Sequence, residues 1–309
     1  GGGGVNCGGV TRFLPPPPDA EGGDPRLALP RPPEQMLSAR LILPLTTEET
    51  FVRFLGNYLD FFARHREPGN RFAGLYAPLS VHPIADGSTE VLILIDATEP
   101  GAQARLDEFV AHLGAGVVPA PLLMPPGRDS YAGTVAHVYY AKAPMPPRVQ
   151  IKAAYLRQPY SPEQLRLCYR RMAELRPDDE SVLEFLPFGG AVNAVAPDAT
   201  AMPARDSFMK MLIHAAWRTP EDDARHVAWA RRMYRDLYAS TGGVPVPDAR
   251  NGGSYINYPD PDLADPQWNT SGLPWHAFYY GASYPRLQRV KADWDPNDVF
   301  HHRLSVELP

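Results

Sequence analysis

Cysteine is nearly missing from the 309 residues: only Cys7 and Cys168 occur, without C-x-x-C spacing. That excludes a disulfide framework and a cysteine-rich metal site. The histidines lack an H-E-x-x-H spacing, and His301-His302 reads as a surface pair, so no metal is expected. No long apolar run is present; the longest, such as Val91 to Ile95, have the length of a strand and not of a bilayer span. A soluble protein with no membrane partner is expected. Basic residues number 30 against 35 acidic ones, for a net charge of −5, and no basic stripe stands out. This argues against a nucleic-acid partner. Lysine is scarce, confined to Lys142, Lys152, Lys210 and Lys291, and there is neither a G-x-S-x-G elbow nor a Rossmann glycine turn between strand and helix.

What is abundant is proline, at 36 residues, and glycine, at 25. They punctuate the chain into three parts. Residues 1–35 open on Gly1 to Gly4, continue with the strand-like Gly9 to Phe13, and cross a stiff stretch from Pro15 to Pro33 whose prolines cannot donate to a ladder. Taken alone, the glycine run reads as a flexible linker. With no initiator Met, the chain is expected to be cut from a longer one. Residues 36–243 carry interleaved strands and helices and no visible repeat. Strands are predicted over Leu37 to Leu43, Val91 to Ala97, Gln150 to Tyr155 and Phe208 to Trp217. Helices are predicted after Thr46-Thr47, from Gln103 to Leu113, after the Ser161-Pro162 cap and after Thr219-Pro220. The fold class is α+β, an antiparallel sheet covered by helices on one side. Residues 244–309 form a separate C-terminal segment, in which the helix at Arg286 to Lys291 is closed by Asp295-Pro296.

The chemistry-bearing residues concentrate in that last segment. Tyr255 and Tyr258 flank Ile256-Asn257 ahead of Pro259-Asp260. If the segment is extended, Tyr255 and Asn257 share one face and Ile256 and Tyr258 the other. A phenol ionises near pH 10, so a tyrosine acting as a base needs a positive neighbour or a hydrogen bond, for which Lys152 is the candidate. The bland alternative is a pair of ordinary strand aromatics.

The order Tyr255-Ile256-Asn257-Tyr258-Pro259-Asp260, Trp268-Asn269-Thr270-Ser271-Gly272, Trp275, Arg286-Leu287-Gln288 resembles the C-terminal berberine-bridge segment of FAD-linked oxidases. In that family a Gly-rich run and a Val-rich strand ending in Thr-Arg close the FAD-binding domain. Gly4, Asn6, Gly8, Val10, Thr11 and Arg12 fit the pattern, while Val5, Cys7 and Gly9 depart from it. The resemblance implies that residues 1–35 trail from the FAD-binding domain, 36–243 form the substrate domain, and 244–309 return to the flavin. The chain would then be a C-terminal portion lacking most of the FAD-binding domain. It further implies FAD as cofactor, held here by Gly4, Asn6, Gly8, Val10 and Asn257, and Tyr258 as the base assisted by Tyr255. The substrate would be a small hydroxyl-bearing molecule, a sugar or glycoside, contacted by Lys152, Tyr155, Phe188 and Asn193, with O2 as the terminal acceptor. Phe188 stands where relatives acting on sugars of antibiotic glycosides carry a second tyrosine, and Ala204 where a histidine is common. The competing expectation is a silent binding module unable to hold FAD alone. Oligomeric state, and the choice between a cytoplasmic and a secreted location, stay open.

Overall fold

Alternation along the strands decides the layering. The computed structural model describes residues 31–44, 47–98, 100–139 and 146–309. Its strands are β1 (Met36–Pro44), β2 (Leu75–Tyr76), β3 (Leu79–Val81), β4 (Ser88–Asp96), β5 (Leu122–Leu123), β6 (Gly127–Asp129), β7 (Arg148–Leu156), β8 (Val182–Pro187) and β9 (Met209–Trp217). They make one sheet in the order β5-β1-β4-β3-β8-β9-β7, with antiparallel pairing throughout. Val91, Ile93 and Ile95 of β4 and Met209, Met211, Ile213 and Ala215 of β9 are buried in the main core. The residues between them, among them Leu92 and Leu94 of β4 and Lys210 and Leu212 of β9, point to the opposite face, as a period of two requires.

The helices are α1 (Glu48–Arg64), α2 (Ala102–Gly114), α3 (Tyr131–Thr134), α4 (Pro162–Ala173), α5 (Asp223–Leu237), α6 (Trp275–Tyr279) and α7 (Tyr284–Trp294). Thr47 caps α1 by accepting from the Thr50 N–H at 3.1 Å. Ser161 and Gln164 complete a capping box on α4. The Thr219 cap expected for α5 is replaced by a short 3₁₀ turn, Pro220–Asp222, ahead of the helix; no side chain caps α5 itself. None of the helices is long and apolar enough to cross a membrane, among the described residues.

The topology repeats although the residues do not. The order β1-α1-β3-β4-α2 is followed by β7-α4-β8-β9-α5, and in each unit the last strand pairs between the other two. The units meet where β3 pairs with β8, Ser80 opposite Glu184. α1 packs on α2 and α4, and α4 on α5, so the helices line one side of the sheet. The absence of a repeat in the sequence thus conceals a duplicated plan. Only apolar alternation is needed to hold each strand in place, and many residues satisfy it.

Residues 244–309 do not form a core of their own. Ile256, Leu263, Phe278, Tyr280, Tyr284 and Val306 belong to the same buried cluster as the strands. Tyr58 on α1 couples the two units. Its hydroxyl, fully buried, lies 2.7 Å from the Ala77 carbonyl and 3.0 Å from that of Phe185. Tyr58→Phe leaves those carbonyls without their donor, and we expect urea unfolding to show a loss of about 1–3 kcal/mol.

Candidate active site

The site begins with cross-strand register. β7, β9 and β8 place Tyr155, Lys210 and Leu186 side by side on the face away from the helices. The next row on that face is Ala153, Leu212 and Glu184. β7 is the last strand of the sheet, and its outer edge is taken up by the chain just before the tyrosine pair. The Tyr155 N–H donates to the Gly253 carbonyl at 2.9 Å, and the Gly252 N–H to the Tyr155 carbonyl at 2.8 Å. Arg157 adds bonds from its guanidinium to the carbonyls of Asp248 and Asn251, at 2.6 and 2.9 Å.

The extended geometry expected at Tyr255 is not formed. The Tyr258 N–H donates to the Tyr255 carbonyl at 3.0 Å, closing a turn over Ile256-Asn257. The turn brings the two phenol rings together, edge to face at 5.4 Å, while Ile256 goes into the core. Pro259 offers no N–H to continue a ladder, and Ser254, just ahead of the turn, is tied to the Ala153 and Phe278 carbonyls. Asn257 sits exposed at the tip and donates from its amide to the Tyr255 oxygen at 2.7 Å.

Below the turn lies Lys210. Its Nζ is 4.5 Å from the ring centre of Tyr255 and 5.6 Å from that of Tyr258. Each such contact contributes about 0.5–2 kcal/mol according to how dry it is. Burial lowers the Lys210 pKa, with Glu184 opposing the shift. Tyr155 contacts Tyr255 at 6.1 Å and Phe188 at 4.9 Å. Burial, with Tyr255 adding to it, pushes the Tyr155 phenol far above its ordinary value, so it stays protonated. A groove of about 560 Å³ runs from Tyr258 and Pro259 past Ile151, Trp217, Val227 and Arg231. A smaller hollow of about 210 Å³ lies on the other side of Phe188, against His65, Phe72 and Gly189.

Lys152 is not the neighbour of the phenols that its sequence context led us to expect. It lies on the helix side of β7, 1% exposed, with its Nζ 2.7 Å from Asp260 and 2.8 Å from Asp262. The parity of the strand forces this, because 152 and 155 must face opposite ways. It therefore does not face the phenols, and the cation beside them is Lys210, three residues from Ile213 on the partner strand. Asn193, half-buried, donates to the Ser207 carbonyl at 2.9 Å. Gly4, Asn6, Gly8 and Val10 lie outside the described residues. Sequence reasoning passed over Lys210, Ser254, Asp260, Asp262 and Arg231. The one available signal for Lys210 was a lone cation between two methionines at the start of a predicted strand.

The half-buried Tyr255, Tyr258 and Phe188 and the exposed Asn257 amide suit contact with a flat ring such as a flavin or a sugar, whereas Tyr155, expected to touch the substrate, is 2% exposed and packs behind them. The described residues offer no cradle for the phosphates of a flavin nucleotide.

The model of the family described as berberine and berberine like matches residues 254–307. The chain is 39% identical to the aclacinomycin-N/aclacinomycin-A oxidase of Streptomyces galilaeus, over all of this chain and 56% of that protein. Among solved structures it resembles CrmK, a flavoenzyme involved in shunt product recycling in caerulomycin biosynthesis, with TM-score 0.88 and 40% identity over 94% of this chain and 59% of that one. It also resembles the glycopeptide hexose oxidase DBV29, solved with teicoplanin, with TM-score 0.85 and 36% identity over 94% of this chain and 58% of that one. The chain thus spans a little over half the length of these relatives.

The seating of the tyrosine turn depends on Gly253. Its φ is +85°, and a Cβ there would come within 2.2 Å of the Phe278 carbonyl oxygen. Gly253→Ala is expected to cost about 2 kcal/mol or more, read as a lowered Tm, because both strain and a backbone clash oppose it.

Proposed function

Since this chain belongs to the berberine-bridge-like FAD-linked oxidases, we propose that it provides the substrate side of an enzyme that oxidises a hydroxyl group of a sugar or glycoside. The observation that carries this reading is the Tyr255–Tyr258 turn held over Lys210 at the mouth of the groove. Of the three clustered phenols, Tyr155 is buried and stays protonated. Tyr258 alone of the three lines the groove. Tyr258 is therefore the base that takes the hydroxyl proton, and the Lys210 ammonium stabilises the negative charge that develops on the ring.

FAD, when bound, supplies the acceptor for the hydride that leaves the same carbon, with O2 as the final acceptor. Asn257, at the tip of the turn, is the described residue best placed to meet it. Phe188, half-buried and backed by the buried Tyr155, gives the sugar ring an apolar surface to rest on, and the groove at Tyr258 takes part of a larger glycoside. Substrate contacts of this kind orient the carbon for transfer and exclude water.

A second reading, a binding unit with no flavin of its own, is favoured by the exposed Trp294, Val299 and Phe300, which would be covered in a larger assembly. A flavin spectrum in the purified chain would end that reading; a colourless chain that takes up no added FAD would place the chemistry elsewhere.

In the complete flavoprotein, Tyr258→Phe is expected to keep the flavin and slow its anaerobic reduction by substrate about 10²–10⁴-fold. Reduction at the unaltered rate would remove Tyr258 from the mechanism. The pH dependence follows from Lys210, which is faced by Glu184 on β8, Tyr155 on β7 and the two phenols of the turn. Its lowered pKa means that the ammonium is lost as pH rises, earlier than for a free lysine. The rate should thus decline on the alkaline side, and Lys210→Met should be slower and lack that decline. An identical pH profile in Lys210→Met would exclude the role.

A further inference from the structure

We infer that Lys152 is a positioning residue of this site: through Asp260 it seats the Tyr255–Tyr258 turn over Lys210. The inference rests on the reading of Tyr258 as the base, and it starts from how the turn is fastened at its two ends. At the near end, Ser254 donates from its hydroxyl to the Ala153 carbonyl at 2.9 Å and from its N–H to the Phe278 carbonyl at 2.8 Å. At the far end, the Asp260 carboxylate receives Lys152 Nζ at 2.7 Å, and the Asp260 N–H donates to the Tyr279 hydroxyl at 2.9 Å. The turn is therefore slung between two consecutive residues of β7. One anchor is a backbone carbonyl at the strand edge, the other a side chain that passes to the helix side.

The charges around Lys152 balance. Lys152 also reaches Asp262 at 2.8 Å, and Arg231 of α5 grips Asp262 through two bonds of 2.8 Å. The Asp262 N–H donates to Asp260 at 3.2 Å, closing the set of two cations and two carboxylates. Lys152, Asp260 and Asp262 are 1%, 2% and 4% exposed, so none of them can meet a substrate. Tyr234 completes the enclosure, its ring 5.1 Å from Lys152 Nζ. Arg231 serves Asp262, which leaves Lys152 as the cation in contact with Asp260. A buried carboxylate deprived of its partner is costly, and the cheapest escape is for the segment that carries it to move. That segment ends two residues from Tyr258.

The test uses the complete flavoprotein and three variants: Lys152→Met, Lys152→Arg, and Lys152→Met combined with Asp260→Asn. In Lys152→Met, amide exchange across residues 254–262 should rise about tenfold while α1 and β4 stay protected. Flavin reduction should slow about tenfold, and its alkaline decline should move to higher pH, because Lys210 is rehydrated once the rings leave it. Lys152→Arg and the doubly neutralised variant should recover most of the protection, the latter giving a folded protein even if the single change does not. Unchanged exchange in 254–262, or a rise spread evenly over the chain that the double variant shares, would overturn the inference. The two readings separate cleanly: a Tyr258→Phe enzyme as fast as the parent would sink the base, while exchange in 254–262 still decides the seating. A slow Tyr258→Phe enzyme beside a Lys152→Met enzyme of normal rate and exchange would sink the seating alone.

Discussion

The free edge of β7 is the constraint on which the phenol cluster depends. An outermost strand presents peptide groups that must find partners or invite unwanted ones. Here the chain from Arg250 to Ser254 returns to that edge and satisfies it at Tyr155, Arg157 and Ala153. The same bonds that quiet the edge set the height at which the following turn leaves the sheet. One set of backbone contacts therefore both pairs the edge and places the tyrosines, which inherit their position from a requirement of the sheet.

Electrostatics then divides the lysines by side of the sheet. Lys152 and Lys210 lie on neighbouring strands but at positions of opposite parity. One enters a neutral set of charges beneath α5; the other stays under two rings that shield it from water without neutralising it. The first is paired directly with two carboxylates; the second is partly stripped of water by burial, with Glu184 opposing that effect through its charge. A reactive cation needs this second condition, since an ammonium already paired with a carboxylate has little field left for a neighbouring phenol.

Much of this was legible in the amino-acid order. Alternation in β1, β4, β7 and β9, the Thr47 and Ser161 caps and the α+β class follow from local preference, and the spacing of Tyr255, Asn257 and Tyr258 identified the segment that matters. The order of residues left three things hidden. The turn at Tyr255 arises from contacts with Ala153 and Phe278, more than a hundred and more than twenty positions away. Lys152 was expected beside the phenols of Tyr255 and Tyr258, but its partners, Asp260 and Asp262, lie more than a hundred positions away and no local pattern announces them. The duplication was invisible because the two units agree in the order and pairing of elements and not in residues.

That duplication has a further meaning. On the sheet face away from the helices, the first unit carries Met36, Leu92 and Leu94, a small apolar cluster, where the second carries Tyr155, Lys210 and Glu184. A scaffold assembled from two equivalent units can specialise them. One half keeps an apolar cluster with the Arg40–Glu90 pair beside it, while the other holds a partly buried cation beneath aromatic rings. The two halves thus share one plan for holding strands in place while differing in what they carry on the open face, so the chemistry of that face can change in one half without disturbing the layering of the other.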